Sequence, residues 1–303
     1  MSSSSLCRAF RVPAGLQLRS RGIDIAVLIL LLLGVTLAAA RAEPANDGRN
    51  RDASKCNAAQ FRVVVDVGHT AEAHGAMSAR GVPEYEFNLR LAKLIERDLT
   101  EAGFRKTILL ITEGSATKGL VKRVTAANNA RANLFLSIHH DSVPDSFLED
   151  WEYDGRPRHF SDKFQGHSIF VSYENTRPIL SRLFGSLLGR QLKDRGLTYT
   201  RHYTEAIMGS RRRQLVDADA GVYRYDQLVV LRATRMPAVL LEAGSIINRD
   251  EELLLGSADH QALISAAVVD AVKTFCAARS PTAANRKHLG GPPSSPLDLP
   301  HGR

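Results

Sequence analysis

Four places in this chain carry side chains suited to chemistry. "FRVVVDVGH" (61–69) ends on His69, and "LFLSIHHDS" (134–142) holds the adjacent pair His139 and His140. "PAVLLEAG" (237–244) places Glu242 after an unbroken apolar run, and "EYE" (84–86) adds Glu84 and Glu86. Imidazole and carboxylate are ligands for Zn2+. A catalytic zinc keeps three protein ligands and one position for water, whose pKa it lowers from about 15.7 to about 7. A further carboxylate can then take the proton and pass it to a leaving amine. These residue types fit a zinc hydrolase. Singly, each has a plainer reading: a strand-end histidine is commonly hydrogen-bonded structure, and carboxylates suit helix N-termini. Glu242 resists the plain reading, because a carboxylate at the end of such a run is desolvated and needs a partner.

One scaffold must bring these groups together. Short β-branched or apolar runs at 61–69, 106–111, 132–140, 166–173 and 237–244 read as strands, and "QLVVLRAT" (227–234) reads as a short edge strand. Between them lie helical patterns. Residues 84–102 carry Phe87, Leu91, Leu94, Ile95 and Leu99 on one stripe and stop at Gly103. Further helices are expected near 117–130, after Asn175 or Thr176, and over 259–277. Strands that are apolar throughout need cover on both faces. The expected fold is therefore α/β: a single domain with a mixed, mainly parallel sheet flanked by helices on both faces. In open α/β sheets, ligands sit beyond the carboxyl ends of the strands. His69, His139, His140 and Glu242 fall there, with Glu84 and Glu86 in the segment after the first strand.

The ends of the chain read differently. Residues 1–42 combine a basic flank (Arg19, Arg21), an uncharged apolar run from Ile25 to Ala40 and the small-x-small pattern Ala40–Ala42. That is a cleaved signal peptide, shorter in its apolar part than a span of about 20 residues, so no stable membrane span is expected after cleavage. Residues 43–55 read as a linker and 280–303, rich in Pro, Gly and Ser, as a disordered tail. The formal charge of +8 falls to +4 (35 basic, 31 acidic) once residues 1–42 are removed. So mild an excess does not argue for nucleic acid and suits an anionic polymer. Cys56 and Cys276 remain as an even pair in an exported chain, where a disulfide and two free thiols are both admissible.

Four blocks, "VVVDVGH", "PEYEFNLRLAKLIERDLTEAGF", "RANLFLSIHHD" and "PAVLLEAGSIINRDEELLL", together resemble the zinc-dependent N-acetylmuramoyl-L-alanine amidases of the Amidase_3 type. The resemblance spans most of 61–277 and makes 56–279 the catalytic domain. It implies Zn2+ held by His69, Glu84 and His139, with Glu242 as general base and acid. The substrate it implies is peptidoglycan, cut at the amide between N-acetylmuramic acid and L-alanine. It also implies wall remodelling or cell separation in the periplasm or outside the cell. No wall-binding repeat is recognisable, so a protein activator or targeting partner is expected. A zinc peptidase acting on the stem peptide and a non-catalytic wall-binding module are the competing readings.

The chain departs from the family pattern at "SIHHD", where the family has "SIHAN". Adjacent strand residues point to opposite faces, so His139 and His140 are not expected on one metal. Asp141 is expected to support an imidazole N–H. The segment 144–166, with Trp151 and Tyr153, reads as a solvated loop or a lid that stacks on substrate. Arg211, Arg212 and Arg213 read as a solvated basic loop or a contact for stem-peptide carboxylates. Tyr223 and Tyr225 are open candidates for substrate contact.

Overall fold

The structure, a computed structural model, describes residues 56–279. The expected signal peptide (1–42), linker (43–55) and tail (280–303) lie outside the described residues. In chain order the elements are β1 (Val63–Val67), α1 (Glu84–Glu101), β2 (Ile108–Leu110), α2 (Ala116–Ala130), β3 (Leu134–Asp141), β4 (Glu149–Tyr153) and β5 (Arg156–Phe160). They continue with β6 (Ser168–Val171), α3 (Pro178–Asp194), β7 (Gln214–Asp217), β8 (Val222–Arg224), α4 (Val229–Ala233), β9 (Ala238–Ser245), α5 (Arg249–Gly256) and α6 (Ala258–Ala278).

Seven strands form one sheet in the order β2-β1-β3-β9-β6-β8-β7. The pairs β1–β2, β1–β3, β3–β9 and β6–β8 are parallel, whereas β6–β9 and β7–β8 are antiparallel. The mixed, mainly parallel sheet expected from the apolar runs is therefore present. Strand alternation divides the core. Val63, Val65, Leu134, Leu136, Val239 and Leu241 face a layer that includes Leu91, Phe184 and Val268 of α1, α3 and α6. Val64, Phe135, Phe170 and Leu240 face the other way, with Ala127 of α2 and Val230 of α4. Each fully buried Val or Leu contributes roughly 1.5–3 kcal/mol.

Two sequence expectations give way. Residues 227–234 do not form an edge strand; Val229–Ala233 is the helix α4. Its carbonyls are taken up by one near and one distant donor: Thr234 Oγ1 donates to Val230 O (2.8 Å) and Asn175 Nδ2 donates to Leu231 O (2.6 Å). Tertiary hydrogen bonding thus overrides the β-preference of Val-Val-Leu. The real edge is β7, paired with β8. Residues 144–166 are not a free loop, because β4 and β5 form an antiparallel hairpin. Trp151 stacks on Tyr153 (5.3 Å, 28°), and its Nε1–H donates to Ala79 O at 3.1 Å. The hairpin is docked against the β1–α1 connection rather than poised as a free lid.

Cys56 and Cys276 are bonded, with Cα atoms 5.2 Å apart across 220 residues of sequence. The bond ties the entry to β1 to the end of α6. Beside it Phe61 packs edge-on to Phe104 and Phe275. Closing so long a loop restricts the unfolded chain strongly. The double variant Cys56→Ser/Cys276→Ser is expected to lose about 2–5 kcal/mol, read as a lower denaturant midpoint with unchanged metal content.

Candidate active site

The carboxyl ends of β1, β3 and β9 are neighbours in the sheet. His69 lies two residues beyond β1, at φ 64°, a left-handed conformation uncommon for a non-glycine residue. Two contacts hold it there. Gly68 N–H donates to Ile138 O (2.9 Å), and the Arg123 guanidinium donates from Nη2 to the His69 carbonyl. Arg123 projects from α2 and is only 4% exposed. Its Nε lies 3.2 Å from Asp66 Oδ1, and Ser137 Oγ donates to Asp66 Oδ2 at 2.6 Å. Burial pushes the Asp66 carboxyl up to about 6, against the pull of Arg123 and Ser137.

Glu84 opens α1, where a carboxylate suits the positive end of the helix dipole. It is buried and shared between two rings: Oε2 lies 3.0 Å from His69 Nε2, and Oε1 lies 3.0 Å from His139 Nδ1. Ala76 N–H and His140 N–H also donate to it. Burial works to raise this carboxyl, but the bonds to His139 and His69 outweigh it and hold it well below the usual range. Burial lowers the His139 imidazole, so that ring is neutral at pH 7. An ionised carboxylate and a neutral imidazole are the forms that bind a metal.

His140 faces the other way and is 2% exposed. Burial drives its pKa down to about 3, leaving it neutral. Its Nδ1 lies 2.8 Å from Asn88 Oδ1, while Asn88 Nδ2 donates to Glu84 Oε1 at 3.0 Å and to Gly68 O at 3.2 Å. With the amide donating toward Glu84 and Gly68, its oxygen accepts, so His140 carries its proton on Nδ1. His140 is thus neither solvent-facing nor beside His69; it orients Asn88, and Asn88 orients Glu84. The sequence marks Asn88 only by its place four residues after Glu84, which puts both on one helix face, and assigns it no role.

Glu242 stands opposite His139 on one side and opposite Ser168 on the other. Its Oε2 and the Ser168 Oγ have no hydrogen-bond partner. Burial, with Asp141 and Glu84 nearby, pushes the Glu242 carboxyl well above its usual range. Asp141 does not support a histidine ring by a hydrogen bond, contrary to the sequence expectation. Its Oδ2 accepts from Tyr203 Oη–H (2.7 Å) and its Oδ1 from Ser142 N–H (2.8 Å), while His202 Nε2 stays 3.9 Å away. The reason is conformational: helical turns after Arg201 bring Tyr203 to the strand end first. Burial pushes Asp141 up to about 7 despite those two bonds.

The donor atoms of His69, Glu84 and His139 all lie within 4.8 Å of one another. Tetrahedral zinc with ligands at about 2.0–2.2 Å asks for separations of about 3.4 Å, so small side-chain adjustments suffice. Two glycines make the room. A Cβ at Gly68 would lie 2.5 Å from the His139 ring, and one at Gly75 would lie 2.4 Å from Glu84 Oε2. The donor set and its surroundings fit Zn2+. An apolar recess of about 250 Å³ adjoins His69 and His139, lined by Leu120, Val230 and Leu240.

The Amidase_3 family model, described as N-acetylmuramoyl-L-alanine amidase, matches residues 63–274. The chain belongs to this family. It is an N-acetylmuramoyl-L-alanine amidase, and its substrate polymer is peptidoglycan. A Staphylococcus aureus protein named "Probable cell wall amidase LytH" is 24% identical over 71% of this chain and 58% of its own length. The solved catalytic domain of CwlV, an N-acetylmuramoyl-L-alanine amidase from Bacillus (Paenibacillus) polymyxa, is 26% identical, covering 71% of this chain and 97% of its own, with a TM-score of 0.51. The amidase Ami1 of Mycobacterium smegmatis shares the fold at 18% identity, covering 74% of this chain and all of its own, with a TM-score of 0.56.

The other residues singled out in the sequence fall around this amidase centre without joining it. Tyr223 is fully buried and donates to Thr200 O (2.6 Å), which removes it from substrate contact. Arg213 lies over the Tyr225 ring at 3.7 Å, whereas Arg211 and Arg212 are exposed. Glu86 is exposed on α1, outside the cluster.

Two substitutions check the geometry. His139→Ala is expected to abolish zinc binding, whereas His140→Ala should retain it with affinity about 10–100-fold lower, measured by competition with a chromophoric chelator. Arg123→Leu leaves Asp66 buried and unpaired, so it should cost about 3–5 kcal/mol of stability. Adding Asp66→Asn to that variant should recover part of the loss in the same denaturation measurement.

Proposed function

We propose that this amidase is zinc-dependent and exported, and that it frees stem peptides from N-acetylmuramic acid during wall remodelling or cell separation. His69, Glu84 and His139 hold the metal, Glu242 is the general base and acid, and residues 56–279 are the catalytic domain behind a signal peptide at 1–42. The observation that carries this reading is the convergence of three donor atoms beside a carboxylate whose Oε2 has no partner. The Cys56–Cys276 bond supports export, since structural disulfides persist in oxidising compartments.

When bound, zinc supplies Lewis acidity toward the scissile carbonyl and toward water. The chain does the rest. Glu84 is held ionised and His139 neutral, the forms that would hold the metal once the ring–carboxylate hydrogen bond gives way. Glu242 has no competing donor at Oε2 and therefore accepts the proton of the attacking water there. Its raised pKa lets it keep that proton until the L-alanine nitrogen departs, then return it.

Glu242→Gln is expected to lower kcat on purified wall by about 10²–10⁴-fold while zinc content stays at wild-type level. Removing zinc with a chelator should abolish release, and adding zinc back should restore it. Mass spectrometry should find intact stem peptides with an L-alanine N-terminus. Peptides cut within the stem would instead make the enzyme a peptidase.

A further inference from the structure

The metal cluster has an apolar neighbour. The recess of about 250 Å³ beside it has His69 and His139 among its walls. A molecule held by the three donors therefore adjoins the recess directly, because the same two rings belong to both. The other walls include Leu120 of α2, Leu228 and Val229 at the start of α4, and Leu240 of β9. Leu240 precedes Glu242 by two residues on β9, so the two side chains leave the same face of the sheet. That face is the one covered by α2 and α4.

The lining favours an apolar occupant. Leu120, Leu228 and Val229 are half-buried and keep apolar surface free for a ligand. The polar groups of the wall are engaged elsewhere. Thr70 Oγ1 donates to Gly114 O (2.8 Å) and accepts from Ala73 N–H (2.9 Å). Arg123 faces Asp66 and donates to Thr112 Oγ1 and to the His69 carbonyl. The two rings hold Glu84, and Gln227 is exposed. The volume sets the size of the occupant. An apolar cavity of about 150 Å³ lined by aliphatic and aromatic side chains is enough to hold benzene. This recess is larger, so a six-membered ring fits.

We propose that the recess binds an apolar group of about the size of a phenyl ring, carried by the ligand that occupies the metal site. The proposal rests on the zinc reading for the head of that ligand alone, since the chain itself forms the recess. It adds to the site a basis for choosing ligands: one with a ring beside its metal-binding group is preferred over one with a methyl there.

The test compares acetohydroxamate and phenylacetohydroxamate on the zinc-loaded enzyme by calorimetry. The two share a metal-binding head and differ by the ring. Phenylacetohydroxamate should bind roughly ten- to a hundredfold more tightly, with the more negative heat-capacity change. Ala116, exposed on the first turn of α2, also lines the recess, so Ala116→Phe fills it from a position outside the core. In that variant the advantage of the ring should vanish, while acetohydroxamate binds as before. Equal affinity of the two hydroxamates for the wild type overturns the proposal, as does an advantage that Ala116→Phe leaves intact. If neither hydroxamate binds, the zinc reading fails on its own account. Toluene titrated into the metal-free enzyme then decides the recess. Methyl NMR shifts at Leu120, Val230 and Leu240 that Ala116→Phe abolishes support it; shifts that the variant retains, or none at all, sink it.

Discussion

The site depends on one buried carboxylate. Glu84 sits at the start of α1, out of contact with bulk water, and a buried charge is tolerated only when every lone pair is answered. Two imidazoles, one side-chain amide and two backbone N–H groups answer it here. The five donors come from four parts of the chain: the end of β1, the end of β3 (which supplies two), the next turn of α1 and the β1–α1 connection. Satisfying Glu84 therefore fixes four segments relative to one another. A metal entering the cluster would take over the role now shared by the two rings, without requiring the scaffold to be rebuilt.

A second buried charge pair supports the first from the other face of the sheet. Arg123 lies against Asp66 as its counter-charge, donates from Nε to Thr112 Oγ1, and reaches the carbonyl of His69 from Nη2. The left-handed backbone at His69 costs conformational energy of order 1 kcal/mol. The guanidinium contact offsets that cost, and its geometry turns the His69 ring back over the strand end toward Glu84. Removing one partner from such a pair is far more damaging than replacing both, because the cost is that of an unanswered charge. The two buried networks meet at Gly68 and His69, so the residues least able to change are not only those that touch a metal.

Much of this arrangement was legible in the sequence, and what was hidden had a common cause. His69, His139 and Glu242 could be read because apolar strands are easy to see and their carboxyl ends are where ligands gather. The separation of His139 from His140 followed from strand alternation alone. The parts that stayed hidden were long-range polar partnerships: Arg123 with Asp66 and His69, Asn88 with His140, Tyr203 with Asp141. Sequence pattern reports which face a residue occupies, but not which distant donor reaches it. The same limit explains α4. Val229 to Leu231 carry a strand-like composition, and the carbonyl partner that favours a helix, Asn175, lies 56 residues from Leu231.

The placement of Glu242 shows how such partnerships act on catalytic geometry. From His139 to Asp141, β3 advances two residues, while β9 advances three, from Glu242 to Ser245. The extra residue is a bulge over Ala243–Gly244, and bulges re-aim the side chains beside them. Gly244 permits it, since a Cβ there would lie 2.8 Å from Glu251 Oε1. Glu251 then braces both flanks, accepting Ser245 N–H at 2.9 Å and Gly166 N–H at 2.8 Å. Asn248 fixes Glu251 in turn by capping α5, accepting from Asp250 and Glu251 N–H groups. Gly166 leads into β6, so the same carboxylate that holds the bulge also holds Ser168 opposite Glu242. "EAGSIINRDEE" therefore works as a unit: the residues after Glu242 keep it at the strand end with Oε2 unclaimed. The bulge follows directly on Glu242, a half-buried residue whose Oε2 has no hydrogen-bond partner.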